Sequence, residues 1–226
     1  MQPFLFLNFK VYKEATGKNA VKLAKSAQKV AKKTGVKIVL VIQAVDLRLV
    51  AKSVSLDVFA QHADPVTGGA HTGKILPFAL KQAGCVGVVL NHAENKQSNE
   101  FVQKAVAESH AVGLKVLVCA ESISRALELS TFAPDFVAIE PPELIGGDVS
   151  VSTAKPELIK ESVEQIRLFN KKIIAITGAG IKSGEDARLA VKLGTLGIFV
   201  ASGVVLSKNP EKALLELALG LKDGLK

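Results

Sequence analysis

Short apolar segments and longer amphipathic segments alternate along the whole chain, and this pattern predicts the fold class. Eight short segments have the apolar and β-branched content of strands. They are residues 4–8, 37–43, 57–61, 86–91, 115–119, 136–140, 172–177 and 197–201. Because these segments show almost no polar alternation, both faces of their sheet must be covered, as in a parallel sheet between helices.

Segments with helical spacing of apolar residues separate the predicted strands. The clearest are residues 17–35, 100–113, 155–169, 184–194 and 210–221. Eight such units in 226 residues predict a closed (β/α)8 barrel, a single domain over residues 1–226. An open doubly wound sheet is the alternative, but it would place G-x-G-x-x-G after the first strand, where this chain has NFKVYKEATG.

The net charge of +8 and the pI near 9.4 favour anionic partners. The lysines are dispersed, as at Lys22, Lys25 and Lys29, which is typical of the solvent-exposed face of a helix and argues against nucleic-acid binding.

No apolar segment reaches the roughly 18 residues of a membrane helix, and the N-terminus lacks the features of a secretory signal. We therefore expect a cytoplasmic protein with no membrane partner.

Two cysteines, Cys85 and Cys119, end or follow apolar segments, without C-x-x-C spacing or a neighbouring histidine. This context predicts buried thiols rather than a zinc site or a disulfide.

Polar residues and glycines gather where the predicted strands end, which is where barrels of this kind place their chemistry. Asn8 ends the first strand and Lys10 follows it, His92 follows the fourth strand and Glu140 ends the sixth. The seventh and eighth strands lead into TGAG and ASG, whose small residues let backbone N–H groups approach a phosphate. The pattern therefore favours a phosphorylated ligand.

Together these motifs resemble the triosephosphate isomerase family. The short chain and the sequences EPPELIG and ITGAGI resemble its compact archaeal branch. The matching segments are Asn8-Phe9-Lys10, Gly69-Ala70-His71-Thr72-Gly73, Asn91-His92-Ala93-Glu94, Glu140-Pro141-Pro142-Glu143-Leu144-Ile145-Gly146, Gly178-Ala179-Gly180 and Ala201-Ser202-Gly203. The resemblance implies a TIM barrel that interconverts dihydroxyacetone phosphate and D-glyceraldehyde 3-phosphate through an enediolate, in glycolysis and gluconeogenesis, without metal or cofactor.

The resemblance also implies a role for each catalytic residue. Glu140 is the base, His92 polarises the carbonyl as a neutral imidazole, Lys10 supplies positive charge, and Asn8 holds Lys10 or a substrate oxygen. Glu143 competes with Glu140 as base, but only Glu140 directly follows a rigid strand. The implied substrate-binding and phosphate-binding residues are Ile145, Gly146, Gly180, Ala201 and Ser202.

The loop around Thr72 resembles the family loop that enters a partner subunit, so we expect a homo-oligomer, dimer or tetramer. Three positions depart from the family pattern. They are Ala93 in place of serine, Gly147-Asp148 in place of Thr-Gly in the lid, and Gln43 in place of a proline. The lid change predicts weaker substrate affinity or a slower lid. Two alternatives stay open, namely another phosphosugar-binding barrel enzyme and a related protein with impaired or lost turnover.

Overall fold

The eight predicted strands form a closed parallel barrel in the computed structural model, which describes residues 2–145 and 150–226. Each strand pairs with the next along the chain, and β1 also pairs with β8 to close the sheet. The strands are β1 Phe4–Asn8, β2 Lys37–Ile42, β3 Asp57–Ala60, β4 Gly87–Leu90, β5 Lys115–Ala120, β6 Phe136–Ile139, β7 Ile174–Thr177 and β8 Gly197–Val200. The predicted barrel is therefore confirmed.

Helices cover the outside of the barrel. They are α1 Lys18–Thr34, α2 Leu47–Ala51, α3 Pro77–Gln82, α4 Asn99–Ala111, α5 Ile123–Ser130, α6 Val151–Ala154, α7 Pro156–Phe169, α8 Gly184–Lys192, α9 Ser202–Val205 and α10 Pro210–Gly224. Side chains cap several of them, and Ser183 and Asp186 form a capping box at α8. Within the described ranges, no helix combines the length and the hydrophobicity needed to cross a bilayer.

The alternation of side chains along each strand divides the core into two layers. One layer lies between barrel and helices, and the other fills the barrel interior with Phe6, Phe59, Phe136 and Phe199 among its members. Gly87 makes room for this interior, because a Cβ there would lie 2.3 Å from Cζ of Phe59. The barrel is thus a packed scaffold, and its open space lies at the ends of the strands.

Five strands, namely β2, β3, β4, β6 and β8, end one residue earlier than the apolar pattern predicts, and β5 ends one residue later. Lys10 and Asn91, which follow strands, adopt left-handed conformations. Glu140 directly follows β6, Lys10 follows β1 with φ 47°, and Asn91 follows β4 with φ 57°. Non-glycine residues adopt positive φ only where surrounding contacts hold them. The backbone at Lys10 and Asn91 is therefore constrained, and this fixes the direction of their side chains at the ends of the strands.

Candidate active site

A cavity at the carboxyl end of the barrel brings together residues from five of the six predicted motifs. Its described lining includes Lys10, His92, Glu140, Ile145, Ala179, Gly180, Ile181, Lys182, Phe199, Val200, Ala201, Ser202 and Gly203. Of the predicted site residues, Asn8 lies in an adjoining hollow that Lys10 and His92 also line. Gly146 and the altered lid positions Gly147 and Asp148 lie outside the described residues.

Glu140 is a buried carboxylate, only 4% exposed. Burial raises its pKa above 4.5, while His92, the thiol of Cys119 and Lys10 act in the opposite direction. Within residues 2–145 and 150–226, its Oε2 atom has no hydrogen-bond partner. A desolvated carboxylate with an unsatisfied oxygen is more basic than an exposed one, as proton abstraction from carbon requires.

The space for the Glu140 side chain depends on Gly178, the first residue after β7. A Cβ at this position would lie 2.4 Å from Cγ and 2.5 Å from Oε1 of Glu140. The Gly178 N–H donates to the carbonyl of Ile139 at 3.0 Å, so the backbone of this turn is held against β6. Gly178 therefore belongs to the site for a steric reason.

The imidazole of His92 is held in one tautomer. The backbone N–H of Glu94 donates to Nδ1 at 3.1 Å, which leaves the proton of the neutral ring on Nε2. Nε2 lies 3.9 Å from Oε2 of Glu140, so the two groups flank a common space without a direct hydrogen bond. The next helix, α4, begins only at Asn99, so the turn after His92 provides the N–H group that fixes the ring.

Two side chains hold the strained backbone of Lys10. Oδ1 of Asn8 accepts the Lys10 N–H at 2.9 Å, and Nε2 of Gln61 donates to the Lys10 carbonyl at 2.9 Å. Gln61 also donates to Oδ1 of Asn8 at 3.2 Å. The ammonium of Lys10 lies 2.5 Å from Oε1 of Glu94, and its side chain is 14% exposed. The turn therefore aims a fixed cation into the cavity.

Sequence reasoning missed Gln61 as a site residue, although the criterion of a polar side chain at a strand end also applies to it. Glu94 was likewise given no role, yet it contacts both Lys10 and His92.

Cys119 is a buried thiol as predicted, and Cys85 is too. Burial, followed by the nearby Glu140, raises the pKa of Cys119 well above its ordinary value.

The turns after β7 and β8 form the other side of the cavity. Ala179 and Gly180 both have left-handed backbones, with φ 68° and 70°. This conformation turns successive backbone groups toward one side, as in anion-binding turns. Ala201 and Ser202 line the same cavity, and Ile145 reaches it from the loop after Glu140. The structure thus brings together at one cavity the predicted phosphate-binding residues that it describes.

The other predicted candidates lie away from this chemistry. Glu143 is exposed and ion-paired with Lys155, which lowers its pKa. Gln43 donates to Oδ2 of Asp46 at 2.8 Å, so it holds the turn after β2. In the described part of the chain, no cluster of three His, Cys, Asp or Glu side chains could hold a metal ion.

Comparison with known proteins agrees with the site. A sequence model described as triosephosphate isomerase matches residues 3–218. The chain is 44% identical over 216 residues to the triosephosphate isomerase of Methanothermus fervidus, covering 96% of this chain and 97% of that protein. The enzyme of the same name from Pyrobaculum calidifontis is 44% identical over 216 residues, covering 96% and 95%. That of Methanobacterium bryantii is 43% identical over 215 residues, covering 95% of each chain.

Proposed function

Because the chain belongs to the triosephosphate isomerase family, we propose that this cavity interconverts dihydroxyacetone phosphate and D-glyceraldehyde 3-phosphate. The observation that carries the proposal is the placement of the Nε2 of His92 and the Oε2 of Glu140, 3.9 Å apart at one cavity. At this separation, a hydrogen-bond donor to the substrate carbonyl and a base can act on neighbouring carbons of one small substrate.

In this proposal Glu140 takes a proton from C1 of dihydroxyacetone phosphate and later returns it to C2. The negative charge that develops on the C2 oxygen is stabilised by the Nε2–H of His92 and by the ammonium of Lys10. His92 can also pass the hydroxyl proton from O1 to O2. This transfer leaves an aldehyde at C1 and a hydroxyl group at C2, as the product requires. Asn8 and Gln61 keep Lys10 in position.

The substrate phosphate lies, in the same proposal, against Gly180, Ala201 and Ser202, with Ile145 covering the reacting carbons. Backbone N–H groups bind a phosphate without a competing negative side chain. A described set of side chains covers each step, and we propose that no metal ion or organic cofactor takes part.

A coupled assay tests the proposed activity. D-glyceraldehyde 3-phosphate is supplied, and the dihydroxyacetone phosphate formed is reduced by an added NADH-dependent dehydrogenase. We expect turnover at about 10 per second or faster, the median for enzymes. Binding of the substrate without turnover would instead support the alternative of a related protein that has lost its catalytic activity. Turnover of another phosphosugar alone would support a different barrel enzyme.

We also propose a homo-oligomer formed through the loop around Thr72. Residues 67–74 are exposed, and Asp64 holds the base of the loop by accepting the Ile75 N–H at 2.7 Å. Val11, 75% exposed, lines the hollow beside Lys10, where apolar surface suits a partner loop. Sedimentation equilibrium tests this. We expect a dimer or larger species that Thr72→Arg weakens, and a monomer at all concentrations would contradict the proposal.

The proposed location is the cytoplasm. Both cysteines are free and buried, which fits a reducing compartment.

A further inference from the structure

We propose that Asn91 is a positioning residue that turns His92 toward the cavity and holds it there. The proposal rests on the proposed function, in which His92 polarises the substrate carbonyl. Asn91 is only 4% exposed, directly follows β4 and precedes His92 in the chain. The sequence motifs indicated Asn91 only as the neighbour of His92, without a role of its own.

The alternation of side chains along β4 explains why a turn is needed before His92. Val89 packs in the barrel interior, whereas Leu90 packs in the layer between the barrel and the helices. If the strand continued in extended form, residue 91 would face the interior and His92 would face the helices. His92 instead lines the cavity at the ends of the strands. The left-handed backbone of Asn91, with φ 57°, interrupts the alternation at the required point.

Asparagine combines the two properties that this position requires. It adopts the left-handed conformation more readily than most residues that carry a side chain, because its short amide can form local hydrogen bonds. Glycine adopts the same conformation but has no side chain. Alanine lacks the amide, and its Cβ disfavours the left-handed conformation. Substitution by glycine or by alanine therefore separates the backbone conformation from the hydrogen bonds.

The amide of Asn91 makes two hydrogen bonds that hold the turn. Its Nδ2 atom donates to the carbonyl of Cys119 in β5 at 2.9 Å, in a buried position. Its Oδ1 atom accepts the N–H of Gln97 at 2.9 Å, which closes a loop of residues 91–97. The first hydrogen bond ties the loop to the barrel, and the second fixes the distance between the ends of the loop. Without the amide, the buried carbonyl of Cys119 loses this donor, which costs stability at this point.

The closed loop contains the contacts that fix the imidazole of His92. The N–H of Glu94 donates to Nδ1 of His92 at 3.1 Å, and the N–H of Asn95 donates to the His92 carbonyl at 2.7 Å. Side chains farther along the loop, such as that of Lys96, are exposed, and exposed contacts hold a loop less firmly. We therefore expect the loss of the Asn91 amide to loosen the loop and, with it, the direction and tautomer of the imidazole.

The test uses the full-length protein with Asn91→Gly and Asn91→Ala. Both variants lose the amide and its two hydrogen bonds, but only Asn91→Gly keeps the left-handed backbone without a steric penalty. Asn170→Gly is the matched control. It removes an amide whose Oδ1 atom accepts a backbone N–H, that of Lys172 at 3.0 Å, in the loop before β7 at the other end of the barrel. Thermal unfolding identifies a temperature at which all variants are folded.

Steady-state kinetics with D-glyceraldehyde 3-phosphate give kcat and KM. We expect kcat to fall by about tenfold in Asn91→Gly and by about 100-fold in Asn91→Ala, because a displaced imidazole no longer reaches the developing charge. KM should change less than about threefold, since the proposed phosphate site lies at the turns after β7 and β8. Asn170→Gly should keep both constants within about twofold of wild type.

A spectroscopic measurement separates positioning from a general structural role. Heteronuclear NMR of protein with isotope-labelled histidine, above neutral pH, reports which ring nitrogen carries the proton, and His92→Gln assigns the signals of His92. The wild type and Asn170→Gly should carry the proton on Nε2. Asn91→Gly should show a mixture of both tautomers, because the N–H of Glu94 no longer stays at Nδ1. A purely structural role would lower the folded fraction and leave the tautomer unchanged.

A wild-type kcat in Asn91→Gly would overturn the proposal, and so would an unchanged His92 tautomer in that variant. Equal losses of kcat in Asn91→Gly and Asn170→Gly would overturn it as well. In each case normal turnover of the wild type leaves the proposed function standing. A wild type that does not turn over the triose phosphate would instead refute the proposed function. The tautomer measurement needs no substrate and would still decide whether Asn91 positions His92.

Discussion

We propose that one side of the cavity, the reacting side, contacts the carbons that react and that the other, the phosphate side, contacts the phosphate, and the chain builds the two sides by different means. On the reacting side, Lys10, His92 and Glu140 project long side chains from the ends of β1, β4 and β6. On the phosphate side, the turns after β7 and β8 bring small residues and left-handed backbone to the cavity. The reacting side depends on the identity of side chains, whereas the phosphate side depends on backbone shape. Substitutions on the two sides should therefore separate into effects on kcat and effects on KM.

The largest expected effect comes from the base of the reacting side. Glu140→Gln removes the proton acceptor and keeps the side-chain volume, so kcat should fall by about 10³-fold or more. Glu143→Gln is the matched control, because Glu143 is exposed and paired with Lys155. It should keep kcat within about twofold, as surface changes do. Steady-state kinetics of both variants would contradict the assignment if their losses were similar.

Gly178→Ala tests whether the two sides are independent. The glycine belongs to the turn after β7, yet the added methyl group would overlap Cγ of Glu140. We expect the displaced carboxylate to lower kcat by about 100-fold, since a shift of about 1 Å in a catalytic group has this effect. Thermal unfolding of the variant separates misplacement from loss of structure. A folded variant with normal kcat would show that the carboxylate can adopt another productive position.

Gln61→Leu sharpens the comparison by removing a residue that supports the Lys10 turn and lies outside the described lining of the main cavity. Without its donors, the Lys10 turn loses two hydrogen bonds while its φ stays unfavourable. Each such strained residue costs about 1–3 kcal/mol, so we expect a loss of about tenfold in kcat/KM. Gln43→Leu removes an amide at the end of β2 that instead contacts Asp46. Comparable losses in both variants would mean that Gln61 acts through general stability.

The smallest expected effect is on stability and follows from the burial of Glu140. Its pKa is raised above 4.5 in the folded protein, so folding disfavours the ionised form. This penalty is absent below about pH 4.5 and grows as the pH rises through the raised pKa. Glu140→Gln should therefore be more stable than wild type at neutral pH, by about 1 kcal/mol. Denaturant unfolding at several pH values checks this, and a stability difference independent of pH would contradict it.

Much of the fold was predictable because each strand is a continuous apolar segment. The start of β7 was placed too early, at residue 172, because the side chain and carbonyl of Asn170 accept the N–H groups of Lys172 and Ile173 in a turn. Short helices such as α2 and α3 are too brief to show a clear period. The single domain over residues 1–226 stays a prediction.

The candidate site was predictable as far as it consists of polar residues at strand ends. The tautomer of His92, the space provided by Gly178 and the support of Lys10 by Gln61 were not, because each depends on distances between distant segments. The roles of Asn8, Lys10, His92 and Glu140 stay predictions, as do those of the lid residues Gly146, Gly147 and Asp148.

Deuterium exchange into dihydroxyacetone phosphate, followed by proton NMR in D₂O, tests the central claim most directly. Because one carboxylate approaches one face of the substrate, the wild type should replace one of the two C1 hydrogens, and Glu143→Gln should do the same. Glu140→Gln should exchange at least about 10³-fold more slowly. Exchange at the wild-type rate in Glu140→Gln would show that another group moves the proton.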